Sequence, residues 1–397
     1  MYGCEHIKLI WIIWSEYKMT VHWCGAGLSA IPGLRRLIKD GYEVVVWNRT
    51  LEKATQAVGD ITNSIRVFDK DSLQDCLKEN DIIVSMLPAD WHVPLALVAL
   101  SEKAHFVSSS YIAPEMRILD GKFKKANLVC INEVGLDPGI DHLMAHKLVT
   151  DYRQSKQYNI ENELSFLSYC GGIPKFENDF KYKFSWSPLG VLKALKSPSK
   201  SLRNFKEFNV DRPWDAISSY QAPLEKAETF EVYPNRDSLP FMEDYKFDPA
   251  WRVKDFVRGT LRLNGWSLAW QDIFREIEGL TGKAGDNRLE EMSDQFWSEN
   301  AYEKDEPDRV VLCVSLKAEM KNSIEWHKTF VMDAWGDGEG SAMSRLVSQP
   351  VSLAVEAVLH KKLEAGVQAA PSNMTIVDDW LSKIDNLAQY LKVIQHD

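Results

Sequence analysis

The chain has 397 residues, a length that suggests two domains or three. Hydrophobic residues make up 45% and charged residues 26%, which is typical of a globular protein and excludes a disordered chain, a collagen-like repeat and a disulfide scaffold. The net charge of −10 disfavours non-specific binding to nucleic acid or to an anionic membrane surface, so we expect neither as a partner.

The amino-terminal segment and the cysteines bear on location. Residues 7–14 (IKLIWIIW) are apolar but much shorter than the ~20 residues of a spanning helix. We therefore expect residues 1–18 to be a non-native or disordered extension with the natural start at Met19; a short membrane-touching segment is the alternative. The six cysteines include no C-x-x-C pair, so no metal site is predicted and reduced thiols in the cytoplasm are favoured.

Residues 20–132 alternate between strand-like and helix-like patterns. Strands are predicted at 20–24, 43–48, 65–68, 81–87, 105–108 and 128–132, and helices at 31–39 and 72–79. The run at 81–87 is continuously apolar, as in a strand that is buried on both faces of a parallel sheet. Strands separated by helices predict an α/β fold with a Rossmann-type parallel sheet over residues 19–134.

The pattern changes after residue 135. Helical patterns occupy 141–153, 265–306, 341–364 and 376–394, and strand patterns occupy 163–169, 182–185, 309–320 and 325–335. The last two strands are predicted to form an antiparallel pair. This mixture predicts a second α/β domain.

The first predicted strand runs directly into a glycine-rich turn. Gly25-Ala26-Gly27-Leu28-Ser29-Ala30 is a G-x-G-x-x-A pattern, and a predicted helix follows it. Gly25 allows the tight turn, Gly27 removes a side chain where the backbone approaches a pyrophosphate, and Ala30 permits close packing of helix on strand. The start of the helix offers free N–H groups to phosphates. With the strand before it and the helix after it, the turn favours a dinucleotide site over a turn that binds no nucleotide.

The end of the second predicted strand indicates which dinucleotide binds. An NAD site usually places Asp or Glu there, where it accepts hydrogen bonds from the ribose 2′-hydroxyl. The chain has Asn48-Arg49-Thr50 instead, and Arg49 can pair with a 2′-phosphate through its planar guanidinium. We expect NADP; NAD, with Arg49 as a solvated loop residue, is the alternative.

Six further segments occur in a recognisable order: residues 108–111 (SSSY), 132–142 (NEVGLDPGIDH), 168–174 (SYCGGIP), 182–187 (YKFSWS), 233–238 (YPNRDS) and 258–262 (RGTLR). With the glycine turn, they resemble the saccharopine dehydrogenases that form L-glutamate, also called saccharopine reductases. The resemblance covers about residues 20–275 and returns more weakly at 336–358.

The resemblance implies a Rossmann domain completed by about 340–397, and a second α/β domain over 135–339 that carries the substrate site and the dimer contact. It further implies a cytoplasmic homodimer of lysine metabolism. Such an enzyme uses NADP(H), with NAD possible, to interconvert saccharopine with L-glutamate and 2-aminoadipate 6-semialdehyde through an imine.

Individual site residues are also implied by the resemblance. On the nucleotide side they are Gly25, Ala26, Gly27, Leu28, Ser29, Asn48, Arg49, Thr50, Phe68, Asp69, Leu87, Ser109, Ser110, Leu136, Asp137, Pro138 and Ser187. On the substrate side they are Ser110, Tyr111, Asp137, Cys170, Gly171, Trp186, Arg236, Thr260, Leu261 and Arg262. Asp137, Tyr111 and Cys170 are the candidates for proton transfer, in no order of preference.

These residue types suit a substrate with three carboxylates and two protonated nitrogens. Arg236 and Arg262 can each clamp a carboxylate with two hydrogen bonds. Asp137 can accept hydrogen bonds from an ammonium or stabilise a developing iminium. Trp186 provides an apolar wall for the alkyl chain.

Each assignment has a structural alternative. Asp137 precedes Pro138, a favoured first helical residue, and can be a helix N-cap. Arg236 can be a surface ion pair, and Cys170 a packed thiol. His142 and His146 share a helix face with Asp141, but without an H-E-x-x-H motif we expect a solvated face rather than a metal site.

The chain departs from the family pattern in two places, and two other functions stay open. The helical insertion at 265–306 is shorter than expected, and the glycine segment at 336–341 is more acidic. One alternative function is an imine reductase of polyamine synthesis, of the carboxynorspermidine type, which would need acids where Arg236 and Arg262 stand. The other is a non-catalytic dinucleotide-binding protein.

Overall fold

The structure is a computed structural model that describes residues 19–396. The extension expected at residues 1–18 lies outside the described residues. The chain divides into two compact units. The first takes the described residues up to Val134 together with Val351–Ala369, and the second takes Gly135–Pro350 together with the described residues from Ala370 onward. The first unit thus draws a shorter piece from the end of the chain than the expected 340–397.

The described residues form sixteen strands and fourteen α-helices. The strands are β1 (Val21–Cys24), β2 (Val44–Asn48), β3 (Ile65–Val67), β4 (Ile82–Ser85), β5 (His105–Ser108), β6 (Val129–Ile131), β7 (Glu163–Pro174), β8 (Ser199–Arg203), β9 (Lys206–Val210), β10 (Ser218–Ala222), β11 (Glu228–Pro234), β12 (Arg252–Leu263), β13 (Asp308–Met320), β14 (Ser323–Trp335), β15 (Gly366–Gln368) and β16 (Tyr390–Gln395). The helices are α1 (Ile31–Lys39), α2 (Leu51–Val58), α3 (Lys70–Cys76), α4 (His92–Ser101), α5 (Pro114–Arg117), α6 (Asp120–Ala126), α7 (Ile140–Gln154), α8 (Pro188–Leu195), α9 (Pro240–Asp244), α10 (Trp266–Ala269), α11 (Gln271–Gly279), α12 (Gly282–Asn300), α13 (Ala342–Leu359) and α14 (Met374–Asp385).

The first unit contains a seven-stranded sheet in the order β15-β6-β5-β4-β1-β2-β3. Every neighbouring pair is parallel, which confirms the predicted Rossmann-type sheet. The strand order reverses between β1 and β4, and ligands of such sheets bind beyond the carboxyl ends of the strands at this point. The glycine-rich turn follows β1 at that edge.

The second unit contains a nine-stranded mixed sheet, in which β10-β11-β12-β7-β13-β14-β16 follow one another and β8 joins β12 to β9. β7 and β12 are parallel, and the other pairs are antiparallel. The predicted antiparallel pair at 309–320 and 325–335 is confirmed as β13 and β14. α8, α10, α11 and α12 bury an aromatic cluster that includes Tyr182, Phe184, Tyr233, Trp266 and Trp270.

Several predicted elements in this unit were wrong in type or length. Residues 182–185 are not a strand: Tyr182 and Phe184 are buried in the aromatic cluster, and a single bridge joins Phe184 to Ala301. The predicted helix at 376–394 ends at Asp385, because Tyr390–Gln395 pairs with β14. β7 continues five residues beyond its predicted end at Tyr169, so much of the segment 168–174 is a strand.

A buried arginine links two strands that are not neighbours in this sheet. The Arg309 guanidinium on β13 donates to Asp333 at 2.7 and 2.8 Å and to Glu228 at 2.8 and 3.1 Å. β12 and β7 lie between β13 and the strand that begins at Glu228. The Arg309 guanidinium therefore ties together strands that share no backbone hydrogen bonds.

No helix among the described residues is long and apolar enough to cross a membrane.

Replacing Arg309 with Ala should destabilise the second unit by about 3 kcal/mol, because Asp333 would keep a largely buried charge without its partner. The measurement is the free energy of unfolding from urea titration followed by tryptophan fluorescence. Arg212→Ala removes an exposed arginine paired with Asp215 and serves as the control. Equal losses in the two variants would contradict a structural role for the buried pair.

Candidate active site

The backbone of the glycine-rich turn is fixed by its own geometry. Gly25 has a φ of 105°, and its N–H donates to the Trp47 carbonyl at 2.8 Å. A Cβ at Gly25 would lie 2.7 Å from the Met86 carbonyl oxygen, so only glycine fits. A Cβ at Gly27 would meet no described atom within 4 Å. Gly25 is therefore required by the fold, whereas Gly27 leaves space that a ligand can occupy.

Asn48 holds the turn from the end of β2. Its side-chain oxygen accepts from the Ala26 N–H at 3.1 Å, and its amide group donates to the Thr50 carbonyl at 2.8 Å. The amide is thus committed to the protein backbone. Because the Asn48 amide is already bound, Arg49 and Thr50 are the residues at this strand end that could contact a ribose.

Two features of this edge suit the phosphates of NADP. α1 has neither a side-chain cap nor an acid in its first turn, so its first N–H groups can meet a pyrophosphate. Arg49 is exposed, and its guanidinium forms no ion pair or hydrogen bond with any described residue, which leaves it available to a 2′-phosphate. Leu28 and Ser29 lie between Gly27 and α1. Leu28 is exposed, and Ser29 is half-buried. These residues fit the dinucleotide.

The residues expected near the adenine lie after β3. Phe68 packs edge-on against Trp91, with the ring centres 5.1 Å apart. Asp69 caps α3 by accepting from the Ser72 N–H at 2.8 Å, and this hydrogen bond lowers the pKa of the Asp69 carboxyl. The Asp69 carboxylate therefore already has a structural role.

A buried histidine that the sequence motifs did not reveal supports the serine segment after β5. His92 lies between two hydroxyls, with Nδ1 2.9 Å from Ser85 Oγ and Nε2 2.8 Å from Ser110 Oγ. Burial lowers the pKa of His92 to about 4, so the ring is neutral at physiological pH. One ring nitrogen then donates and the other accepts, so His92 links the Ser85 and Ser110 hydroxyls in one hydrogen-bonded chain.

The other predicted residues of the first unit lie around the same strand ends. Leu87 follows β4 and lies beside the turn, because its Cδ2 would be 3.2 Å from a Cβ at Gly25. Ser109 Oγ is 3.8 Å from the Met86 sulfur. Tyr111 is half-buried directly after Ser110.

In the second unit, Asp137 belongs to a buried charge network. Its Oδ1 accepts from Arg258 Nη2 at 2.6 Å, and the same nitrogen donates to Asp141 Oδ2 at 2.6 Å. Asp141 is fully buried, and its Oδ1 accepts from the Gly139 N–H at 2.7 Å. The N-cap residue of α7 is Gly139, so the alternative that Asp137 caps this helix was wrong. Arg258 begins the segment 258–262, but sequence analysis assigned it no role, because its partners are more than 115 residues away.

The solvated face expected for the two histidines was also wrong. His142 is 2% exposed and His146 7% exposed, and both pack against Tyr245. His142 Nδ1 lies 2.7 Å from the Tyr245 hydroxyl, and burial lowers the pKa of His146 to about 3. The described residues contain no group of three or more His, Cys, Asp or Glu side chains arranged to hold a metal ion.

β12 directs alternate side chains to opposite faces of the sheet. Arg258, Thr260 and Arg262 share one face, whereas Leu261 is completely buried in the core on the other. A substrate contact from Leu261 is therefore restricted to its backbone. Gly171 has a packing reason of its own, since a Cβ there would lie 2.3 Å from the Leu261 carbonyl oxygen.

Arg262 is buried without a carboxylate partner among the described residues. It is 7% exposed, and its guanidinium carbon lies 4.8 Å from the ring centre of Tyr182 and 5.4 Å from that of Trp266. Glu231 is the cross-strand neighbour of Arg262, but its carboxylate accepts from the N–H groups of Gly265 and Ser267, at the start of α10. The positive charge of Arg262 is thus left for another anion.

Cys170 lies opposite Thr260 in the parallel register of β7 and β12. Burial, together with the nearby charges of Asp137 and Asp141, raises the pKa of the Cys170 thiol well above its ordinary value. The group is therefore a neutral thiol at physiological pH. It can donate a hydrogen bond, but it cannot serve as a thiolate base.

The remaining predicted residues of this unit differ in environment. Arg236 is exposed on the loop after β11, with a φ of 57°, whereas Arg262 is enclosed by aromatic rings. Trp186 is 36% exposed and covers Gly190. Ser187 caps α8 by accepting from the Gly190 N–H at 3.2 Å, which is a structural reason for the hydroxyl. Leu136 and Pro138, on either side of Asp137, are buried.

Comparison with known proteins finds family matches for both units of the chain. Residues 21–131 match the saccharopine dehydrogenase NADP binding domain, and residues 135–386 match the saccharopine dehydrogenase C-terminal domain. The first unit is therefore an NADP-binding domain of Rossmann type. The chain belongs to the saccharopine dehydrogenase family.

Individual relatives differ in how much of them the chain covers. Saccharopine dehydrogenase [NADP(+), L-glutamate-forming] of Pyricularia oryzae is 36% identical over 249 residues, 61% of this chain and about half (54%) of that protein. The protein of the same name from Saccharomyces cerevisiae is 29% identical over 440 residues, 93% of this chain and 97% of that protein. The structure of apo saccharopine dehydrogenase (L-Glu forming) from Saccharomyces cerevisiae matches with a TM-score of 0.78 at 26% identity, covering 96% of this chain and 100% of that chain.

The two glycines of the turn should respond differently to substitution. Gly27→Ala should keep the melting temperature of the protein, because a Cβ has room there, but should weaken NADPH binding by at least about tenfold, because the methyl group occupies the space of the pyrophosphate. The dissociation constant can be measured by NADPH fluorescence. Gly121→Ala is the control, since Gly121 lies in α6 with equally open space. Unchanged NADPH affinity in Gly27→Ala would contradict the placement of the phosphates.

Proposed function

We propose that the protein is, as a cytoplasmic homodimer, an NADP(H)-dependent oxidoreductase of lysine metabolism that acts on the CH–NH bond of saccharopine. It would interconvert saccharopine with L-glutamate and 2-aminoadipate 6-semialdehyde, with NADP preferred over NAD. The observation that carries the proposal is the buried guanidinium of Arg262 without a carboxylate partner among the described residues. Buried charges are normally paired, so an anionic ligand supplies the missing partner.

Residues of opposite charge would bind different groups of the substrate. Arg262 would bind a carboxylate inside the aromatic cluster, where water competes weakly. Asp137 would accept hydrogen bonds from a protonated nitrogen and stabilise the positive charge of the iminium that forms between the two products. Trp186 is exposed enough to cover an alkyl chain. The bound nicotinamide supplies or accepts the hydride.

Few side chains near the proposed substrate site could transfer a proton. Cys170 is held as a neutral thiol by its raised pKa, so it can donate a hydrogen bond but neither releases nor abstracts a proton readily at neutral pH. Asp137 is engaged by Arg258, which stabilises the ionised carboxylate. Tyr111 is the remaining candidate for direct proton exchange, and the Ser110 hydroxyl beside it is hydrogen-bonded to His92 at 2.8 Å.

The proposed activity can be tested on the purified protein with saccharopine and NADP, following the absorbance of the reduced nicotinamide. Arg262→Gln should raise KM for saccharopine by roughly 10-fold to 100-fold, the loss of one charge-assisted interaction, and leave NADPH affinity unchanged. Because Arg262 has no described carboxylate partner, its removal leaves no orphan anion and should not lower the melting temperature.

Arg252→Gln is the matched control, since Arg252 lies on the same strand in an exposed pair with Glu163. A wild-type protein that binds NADPH but does not turn over saccharopine with either cofactor would refute the proposal. Turnover of a carboxylated polyamine instead would identify the alternative reductase, and no turnover of either would identify a non-catalytic nucleotide-binding protein.

The preference for NADP should depend on Arg49. Arg49→Asp should lower the ratio of NADPH affinity to NADH affinity by at least about tenfold, because the variant repels the 2′-phosphate and can accept from a free 2′-hydroxyl. Lys122→Asp makes the same charge change on the exposed side of α6 and should leave the ratio unchanged. An unaltered ratio in Arg49→Asp would remove Arg49 from the ribose site.

A further inference from the structure

We propose that Arg258 is a positioning residue that aims the Asp137 carboxylate at a protonated nitrogen of the substrate, and that Asp141 fixes Arg258 for this task. The inference rests on the proposed function, because it assigns Asp137 to the substrate nitrogen. It adds two residues, Arg258 and Asp141, that do not themselves touch the substrate.

The first argument is that Arg258 is held through its backbone and through its guanidinium group. Its backbone N–H donates to Ser238 Oγ at 2.9 Å, and its carbonyl accepts from the Asn235 N–H at 2.9 Å. Its guanidinium carbon lies 4.0 Å from the ring centre of Phe241. The side chain is only 4% exposed. A guanidinium held in this way defines a direction for whatever carboxylate it binds.

The second argument is the unequal exposure of the two carboxylates. Arg258 Nη2 lies 2.6 Å from an oxygen of Asp137 and 2.6 Å from an oxygen of Asp141. The side chain of Asp141 is completely buried, whereas that of Asp137 is 15% exposed. Asp141 therefore satisfies the burial of the arginine, and Asp137 is the member of the group that a ligand can reach.

The third argument is the chemistry of the more exposed member. The Asp137 side chain is 15% exposed and presents a carboxylate, whereas the Asp141 side chain is enclosed and also lies 3.7 Å from His142 Nδ1. A carboxylate suits a protonated amine or an iminium and opposes an anionic group, which is the converse of Arg262 on the same face of β12.

The fourth argument is the place of the contact on Asp137. Arg258 Nη2 donates to Oδ1, and each carboxylate oxygen can accept more than one hydrogen bond. Binding to Arg258 therefore restricts the orientation of the carboxylate and is compatible with a further hydrogen bond from a substrate nitrogen. Preorganisation of this kind lowers the barrier without any motion during the reaction.

The test uses Asp141→Asn and Arg258→Lys in the full-length protein, with saccharopine and NADP. Asp141→Asn keeps the shape of the side chain but removes the charge that fixes Arg258, and we expect kcat to fall at least about tenfold while NADPH affinity stays within twofold of wild type. Arg258→Lys keeps the charge but loses the planar fork, so its kcat should lie between those of wild type and Arg258→Gln.

A purely structural role gives a different result. Asp141→Asn and Arg258→Lys would then lower the melting temperature, with kcat per folded molecule equal to that of wild type, and this outcome overturns the inference. Asp141→Asn is informative even if Arg258→Gln fails to fold. Arg252→Gln, on the same strand, is the control and should keep both kcat and KM. A wild-type protein without saccharopine turnover would instead reject the proposed function, and the inference with it.

Discussion

The central constraint on the second unit is that one strand, β12, places two arginine side chains in its interior. Arg258 and Arg262 lie on one face of β12, four residues apart and both buried. Arg258 is satisfied by two aspartates, whereas Arg262 is surrounded by aromatic rings and left without a carboxylate among the described residues. A buried ion is costly unless it is paired, so the two guanidiniums differ: that of Arg258 is paired within the protein, and that of Arg262 is left available to an anion.

At the nucleotide-binding edge of the first unit, some residues stabilise the backbone and others remain available to a ligand. Gly25 and Asn48 serve the backbone of the turn, because a side chain at Gly25 would collide with Met86 and Asn48 binds the Ala26 N–H. The space beside Gly27 and the Arg49 guanidinium are not used by the described residues. Space, backbone N–H groups and a free guanidinium are what the phosphates of NADP require.

Sequence reasoning reached the parallel sheet, the glycine turn and the β13–β14 pair because each leaves a local signature of strand, turn and alternation. It could not reach Arg258, Asp141 or His92, because their importance lies in partners far away in the chain or at a depth that composition does not reveal. Sequence periodicity also misjudged 376–394, where Tyr390–Gln395 is a strand only because β14 offers an edge. The same limit explains His142, whose burial is decided by Tyr245 over a hundred residues away.

Glu231 illustrates how a site can be kept open by an unrelated contact. Its register on β11 would allow it to neutralise Arg262 directly, but the first N–H groups of a single helical turn draw the carboxylate away. The N–H groups at the start of α10 therefore bind the Glu231 carboxylate that could otherwise pair with Arg262. If that turn unwound, the Glu231 carboxylate would lose these N–H partners and could pair with Arg262, its neighbour on the adjacent strand.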